Sequence, residues 1–453
     1  MKILVAGGGK VGEVLVDKLG NEGHEITLID SDPYVLEHIM EQYDVITVHG
    51  SAASMDTLEQ AGVDESDLLI AATDADEVNM LSCMTAHGLN PAIHTIGRIR
   101  DPEYRQQSYR MRDLFGLNLV INPEQEAAIE IGRLLKYPGF LNIETFAKGS
   151  AEIVSLRIKK DSQLVNVPLK KLDSIIKCKV LVCAVVRDGV CVIPDGNFVV
   201  KENDLIYVTA SADQLSTLLK NLGIIAREVK HVLIAGGGKI SYYLALELEK
   251  IGMHVSIIES DPERCSLLAA SLPNATIIEG DASSQNFLDS EGIERFDGMV
   301  TLTGLDELNI VISLYANEKN IPQIVTKLSH AENNRMLDSL PIGSVISPKE
   351  LSCNSIIRYV RAMQNKQGAA ITVHRIADGQ GEAIEFIIDE KDLHVGEPLK
   401  DIRTKKDALI VSITHGNKTE IASGDSSYQV GDNVVVVSNG KATIQNFNDI
   451  FVD

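Results

Sequence analysis

Short apolar runs bounded by small or polar residues recur through the first hundred positions. Ile3-Leu4-Val5-Ala6, Glu25-Ile26-Thr27-Leu28-Ile29, Val45-Ile46-Thr47-Val48, Leu68-Leu69-Ile70-Ala71-Ala72 and Ile93-His94-Thr95-Ile96 read as strands, the first of the kind a strand buried on both faces needs. Helices are predicted between them: from Pro33 to about Glu41, a short one closing over Leu58 to Gly62, and one from Glu77 to His87. Strand and helix alternating at this spacing imply a doubly wound parallel sheet, in which ligands bind at the carboxyl ends of the strands.

From Asn118 to Pro138 the pattern is that of a connector. Asn122 suits an N-cap and Pro123 the first helical position, while Ala127, Ala128, Ile131, Leu134 and Leu135 form an apolar stripe that must be covered. The stripe recurs after Ser347-Pro348 with Ile356, Ile357 and Val360, which favours contact between lobes over an isolated connector. From about Ser150 short β-branched runs take over, at Ile153 to Leu156, Val180 to Val186, Val190 to Ile193 and Leu205 to Val208, with Arg187-Asp188-Gly189 as a hairpin turn. This reads as a small α+β lobe ending near Leu222.

The whole plan then repeats at an offset near 230. His231 to Ser241 restates Lys2 to Gly12, Ser260-Asp261-Pro262 restates Ser31-Asp32-Pro33, and Pro398-Leu399-Lys400 restates Pro168-Leu169-Lys170. The expected architecture is α/β: two tandem Rossmann-like doubly wound parallel sheets, each followed by a small α+β C-lobe. The predicted boundaries are 1–122 for the first Rossmann lobe, 123–149 for its connector and 150–225 for its small lobe. The second set is 229–346, 347–368 and 369–453.

Candidate chemistry collects at the strand ends. Gly7, Gly9 and Gly12 have G-x-G-x-x-G spacing immediately after the first strand, so Gly7, Gly8, Gly9, Lys10, Val11 and Gly12 form a phosphate-binding turn that opens a helix. Asp30 ends the second strand close to the ~20-residue offset of a ribose-binding acid, with Ser31 beside it. A carboxylate there accepts ribose hydroxyls and repels a 2′-phosphate, which suits NAD(H) or an adenine nucleotide. Thr73 and Asp74 follow the fourth strand, as site residues or as caps of the next helix, and Arg98 follows the fifth, where charge-assisted contact with a pyrophosphate is favoured over a solvated surface arginine. In the second copy the counterparts are Gly236, Gly237, Gly238, Lys239, Ile240 and Glu259, with Asp281 where the first copy has Ser51. Ser241 in place of Gly12 is expected to cost close helix–strand approach; Gly304 replaces Asp74, and Lys327 replaces Arg98 with a point charge and no fork. The first site is the better candidate for a dinucleotide.

Charge and composition narrow the partners. With 42 basic and 64 acidic residues the net charge is -22, which argues against nucleic acid and against adsorption to an anionic membrane. No apolar segment approaches the ~18 residues of a membrane span, and the first strand begins without room for a secretory leader, so a cytoplasmic protein without direct membrane insertion is expected. Cys83, Cys178, Cys183, Cys191, Cys265 and Cys353 include no C-x-x-C and no zinc spacing; they read as reduced and mostly buried, with no metal site.

G-G-G-K-V-G, the terminal Asp30, T-D-A-D-E-V-N, G-R-I-R-D-P-E-Y, I-N-P-E and the small β-rich domain, all duplicated in one chain, resemble the RCK (KTN) regulators of potassium transport. The resemblance covers essentially the whole chain. It implies Rossmann lobes that bind NAD(H) or ATP/ADP and small lobes for ligand sensing or interaction. It also implies a homo-oligomer, a tetrameric ring, set under a membrane potassium channel or transporter subunit at the inner face of the cell membrane. The competing class is a soluble NAD-dependent oxidoreductase, which needs a general acid or base beside the nicotinamide. The eleven histidines are scattered; His49, at a strand end, is the best candidate, and no catalytic pair is evident. A regulator without catalytic residues is the expectation.

Overall fold

The computed structural model describes residues 1–110, 112, 114–136, 142–146, 151–210, 212–222, 229–329, 340–364, 370, 372–377, 380–416, 418–440, 444 and 446–452. The predicted small-lobe bounds at 149–150, 225 and 368–369 lie outside them.

In the first lobe the strands are β1 (Lys2–Ala6), β2 (Glu25–Asp30), β3 (Ile46–His49), β4 (Leu68–Ala71), β5 (His94–Arg98) and β6 (Leu119–Ile121). The helices are α1 (Lys10–Asn21), α2 (Pro33–Gln42), α3 (Met55–Gln60), α4 (Asp76–Leu89), α5 (Pro102–Arg110) and α6 (Pro123–Lys136). The strands pair in parallel in the order β3-β2-β1-β4-β5-β6. The order reverses between β1 and β4, which is the crevice-forming point of a doubly wound sheet. Ile3, Leu4, Val5 and Ala6 are all buried, as a strand covered on both faces requires. The sequence pattern did not single out α5 or the three-residue β6.

The first small lobe contains β7 (Asn142–Phe146), β8 (Ala151–Arg157), α7 (Leu172–Ile176), β9 (Leu181–Arg187), β10 (Val190–Val192), β11 (Leu205–Ala210) and α8 (Ala212–Asn221). The second Rossmann lobe repeats the first with β12 (His231–Ala235), α9 (Lys239–Lys250), β13 (His254–Glu259), α10 (Pro262–Ser271), β14 (Thr276–Glu279), α11 (Gln285–Ser290), β15 (Gly298–Thr301), α12 (Asp306–Glu318), β16 (Gln323–Lys327), β17 (Ser344–Ile346) and α13 (Pro348–Gln364). Its sheet order, β14-β13-β12-β15-β16-β17, is the same as that of the first lobe. The second small lobe has β18 (Thr372–Ile376), β19 (Gly381–Ile387), β20 (Ala408–His415), β21 (Lys418–Ile421) and β22 (Asn433–Ser438). Its order β18-β19-β22-β20-β21, read backwards, superposes strand for strand on the antiparallel order β10-β9-β11-β8-β7 of the first.

The chain divides into two compact units, Met1–Ala127 with Ser347–Ile357, and Ala128–Ile346 with Arg358–Asp453. In the first unit Cys353 Sγ donates to the Val11 carbonyl at 3.7 Å and the Ser352 hydroxyl to Glu126 at 3.1 Å, so the start of α13 packs on the first Rossmann lobe. In the second unit Gln323 Nε2 donates to the Leu134 carbonyl at 3.2 Å, and Leu135 lies against Gly298. The C-terminal end of the first connector's stripe, at Leu134 and Leu135, therefore meets the second Rossmann lobe, an inter-lobe contact of the kind its recurrence suggests. All six cysteines are buried.

The two small lobes of the second unit share one core. Phe146, Ile153, Cys183, Ala184, Cys191 and Tyr207 of the first pack with Ile376, Ala377, Ala383, Val411, Val435 and Val437 of the second. Tyr207 Oη accepts from the Ala377 amide at 2.9 Å, and the Gln380 side-chain carbonyl accepts from the Cys191 amide at 3.1 Å. Neither small lobe covers the inner face of its sheet alone.

Candidate nucleotide site

The first crevice is built where β1, β2, β4 and β5 end. Gly7 turns with φ +100°, its amide donating to the Ile29 carbonyl at 2.8 Å, and a Cβ added there would meet the Thr73 amide nitrogen at 2.9 Å. Gly9 is the N-cap of α1 without a side-chain capping bond, and a Cβ on it would meet nothing within 4 Å. The first amides of α1 have no intrahelical acceptors, so the turn presents donors and the positive end of the helix dipole to open space. Lys10 is exposed at the first helical position, while Val11 and Gly12 face inward. Gly12 is demanded by packing: a Cβ would lie 1.8 Å from the Gly7 carbonyl oxygen.

Asp30 faces this turn. Its Oδ2 accepts the Gly8 amide at 2.6 Å and its Oδ1 the Asp32 amide at 2.9 Å, so the proposed ribose acid also braces the glycine loop. Ser31 is exposed beside it, and its carbonyl accepts from His49 Nε2 at 3.1 Å. Across the crevice, the Thr73 amide and hydroxyl both donate to Asn79 Oδ1, at 2.8 and 2.7 Å. Asp74 is almost fully exposed and lies 3.7 Å from Arg98 Nη1, which also donates to the Ala72 carbonyl at 3.3 Å. Burial, aided by the neighbouring Arg100, lowers the proton affinity of Arg98, with Glu124, Asp74 and Asp76 opposing. The structure thus brings Gly7–Gly12, Asp30, Ser31, Thr73, Asp74 and Arg98 to one end of one sheet.

Two contributors were not singled out as site residues. Fully buried Asn79 donates to the carbonyls of Thr73 and Arg98, at 3.0 and 2.8 Å, locking the ends of β4 and β5 together. Asp76 Oδ2 accepts the amides of Arg100 and Asp101, both at 2.8 Å. The available signal was recurrence: T-D-A-D-E-V-N returns as T-G-L-D-E-L-N, keeping Asp306 and Asn309 and losing Asp74.

The second crevice has the same frame and different fittings. Gly236 turns with φ +100° and Gly238 faces open space like Gly9, with Lys239 exposed and Ile240 half-buried after it. Glu259 accepts the Gly237 amide at 2.7 Å and the Ser260 and Asp261 amides at 2.7 and 2.9 Å. Desolvation pushes its carboxyl up, but these amides, with the Ser260 hydroxyl, outweigh it and hold Glu259 below the usual range. Ser241 corrects the expectation of lost helix–strand approach: fully buried, its hydroxyl donates to the Gly236 carbonyl at 2.5 Å, and α9 starts in the same backbone conformation as α1. Lys327 Nζ donates to the Thr303 carbonyl at 2.7 Å, and Asp281 is exposed, accepting from Ser283 within its own turn.

Two parallel sheets in one order, each with an amide-lined glycine turn and a carboxylate one strand away, define a duplicated protein of the Rossmann nucleotide-binding class. The TrkA-N domain family matches residues 3–123 and again 232–348, and the TrkA-C domain family matches 153–223. A Trk system potassium uptake protein TrkA of Halomonas elongata is 30% identical over 459 residues, covering 100% of this chain and 98% of that protein. Its counterpart in Azorhizobium caulinodans is 29% identical, covering 96% of this chain and 95% of that one. The GsuK channel bound to NAD shares the fold, with a TM-score of 0.63 at 18% identity over 97% of this chain and 77% of that one. The chain belongs to the TrkA family of potassium uptake proteins and carries two RCK-type repeats.

Proposed function

We propose that this chain is the nucleotide-sensing regulatory subunit of a potassium uptake system, cytoplasmic and held at the membrane through a potassium-translocating subunit. The first site takes NAD(H) or ATP/ADP: pyrophosphate on the amides at Gly9 to Gly12, ribose on Asp30, and Arg98 near the phosphates, with Thr73 and Asp74 on the facing rim. The second site, at Gly236 to Ile240 and Glu259, holds an adenosine less tightly, since its only counterpart of Arg98 is Lys327. Open space over Gly9 beside Asp30, in a chain whose relatives are named for potassium uptake, carries the reading. A ring of such chains has two conformations, and a nucleotide shifts them by its differential affinity for each.

His49, the best acid–base candidate in the sequence, commits Nε2 to the Ser31 carbonyl. The test is calorimetry of the purified chain with NAD, NADH, ATP and ADP, alongside Asp30→Ala. That variant is expected to weaken nucleotide binding at least tenfold and desensitise potassium uptake. Because it also frees the Gly8 and Asp32 amides, it should cost ~1–3 kcal/mol of stability. Unchanged affinity removes Asp30 from the site, and steady NADH oxidation with a small substrate replaces the regulator by an oxidoreductase.

A further inference from the structure

The duplication provides an internal control for the surface. β3 is the terminal strand of its sheet, and three large apolar side chains stand exposed on it and on the helices flanking it: Met40 of α2 at 51%, Ile46 at 67% and Met55 of α3 at 56%. The Thr47 hydroxyl donates to Met40 Sδ at 3.1 Å, which holds Met40 against the edge strand. In the second lobe β14 is equally terminal, between α10 and α11, yet the residues at these positions are Ala269, Thr276 and Gln285. The same architecture forms without the apolar set, so folding does not require it. Exposed apolar residues at an open strand edge are a liability that proteins usually blunt, and such patches mark docking surfaces.

Charge selects the occupant. Between Lys18 and Arg98 the chain has fifteen Asp or Glu residues and no Lys or Arg. The matching stretch between Glu247 and Lys327 has thirteen acids, offset by Lys250, Arg264, Arg295 and Lys319. Glu37, Glu41, Asp44, Asp56 and Glu59 are interspersed with the three apolar residues along α2, the link to β3, and α3. Two copies of this face brought together would oppose like charges, whereas cytoplasmic loops of membrane proteins carry an excess of Lys and Arg. We propose that the β3 edge of the first lobe docks a lysine- and arginine-rich cytoplasmic loop of the membrane potassium-translocating subunit. An apolar residue of that loop seats on Met40, Ile46 and Met55, and its cations face the acids. The assignment rests on the regulatory reading above and names the surface through which the regulator meets its transporter.

The experiment measures binding of the full-length chain to the purified potassium-translocating subunit in detergent, by biolayer interferometry at low and high salt. One variant, Met40→Ala/Ile46→Thr/Met55→Gln, installs the residues that the second lobe carries on the same architecture; another is Glu37→Gln/Glu41→Gln/Asp44→Asn. Wild-type affinity is expected to fall as salt rises. Each variant is expected to bind at least tenfold more weakly, with nucleotide calorimetry and oligomer mass by light scattering unchanged. Wild-type affinity in both variants overturns the surface and leaves the regulatory reading standing. A variant that dissociates the oligomer while binding the membrane subunit normally assigns the edge to a second copy of this chain and overturns the proposal. No binding by the wild-type chain overturns the regulatory reading itself, and the surface with it.

Discussion

Gly7, Gly9 and Gly12 are glycine for different reasons. Gly7 needs its positive φ, and Gly12 lies against the Gly7 carbonyl. Gly9 has an ordinary φ of -69° and nothing near its absent Cβ, so the folded chain places no demand on it. A residue kept minimal against open space fits the approach of a ligand's pyrophosphate. Gly9→Ala is therefore expected to leave the melting temperature within about 2 °C of wild type, as for a surface change of ~0.5 kcal/mol or less. NAD affinity should drop at least tenfold by calorimetry, and undiminished affinity would take the phosphate away from this turn. The glycine spacing and Asp30 were legible because each answers to a covalent interval: a strand length, a helix length, a strand length. That Asp30 also holds the Gly8 amide was not, because the direction of a backbone N–H is not written in residue identity. Ser241 was misjudged for a similar reason, since its hydroxyl turns a clash into a hydrogen bond.

At the level of elements, strand order and helix placement followed from apolar runs, whereas α5 and β6 escaped. β6 has three residues, too few to show a period, and α5 is mostly polar, with no apolar stripe to mark it. Asn79 illustrates a further gap: buried Asn in a helix looks unfavourable until the strand ends it joins are known. Asn79→Ala is expected to destabilise the first lobe by ~2–4 kcal/mol, because it strands the Thr73 amide and the Arg98 carbonyl in a buried place. Chemical denaturation would read this, and a loss below ~1 kcal/mol would count against the brace. A second buried polar link is Asp204, which accepts both arms of Arg187 at 2.8 and 2.7 Å. Desolvation pushes its carboxyl up, yet Arg187 and the Lys201 amide prevail and hold it below the usual range. Its contribution is thus complete above the unfolded carboxylate value of about 3.9 and lost as pH falls through the lower folded value. Urea midpoints between pH 6 and 2 should fall less steeply for Asp204→Asn than for wild type; parallel curves would show that the pair carries no acid sensitivity.

Over the whole molecule, the duplicated plan was visible as an offset, but its partition was not. Apolar strands such as β9 and β20 look alike whether covered by their own lobe's helix or by the sister sheet, so the shared core of the small lobes could not be foreseen. That core has a consequence for biosynthesis. Cys191 and Gln380, bonded across it, are 189 residues apart, and at ~5–20 residues per second the ribosome needs roughly 10–40 seconds to span that interval. Throughout it the first small lobe waits with an uncovered apolar sheet, the kind of surface on which nascent chains aggregate or recruit chaperones. A chain ended after Leu222 is expected to sediment as aggregate or remain chaperone-bound where the full chain is soluble; a monodisperse fragment would show that the first copy matures alone. One chain thus carries two halves, and the first is finished only when β19, β20 and β22 have left the ribosome.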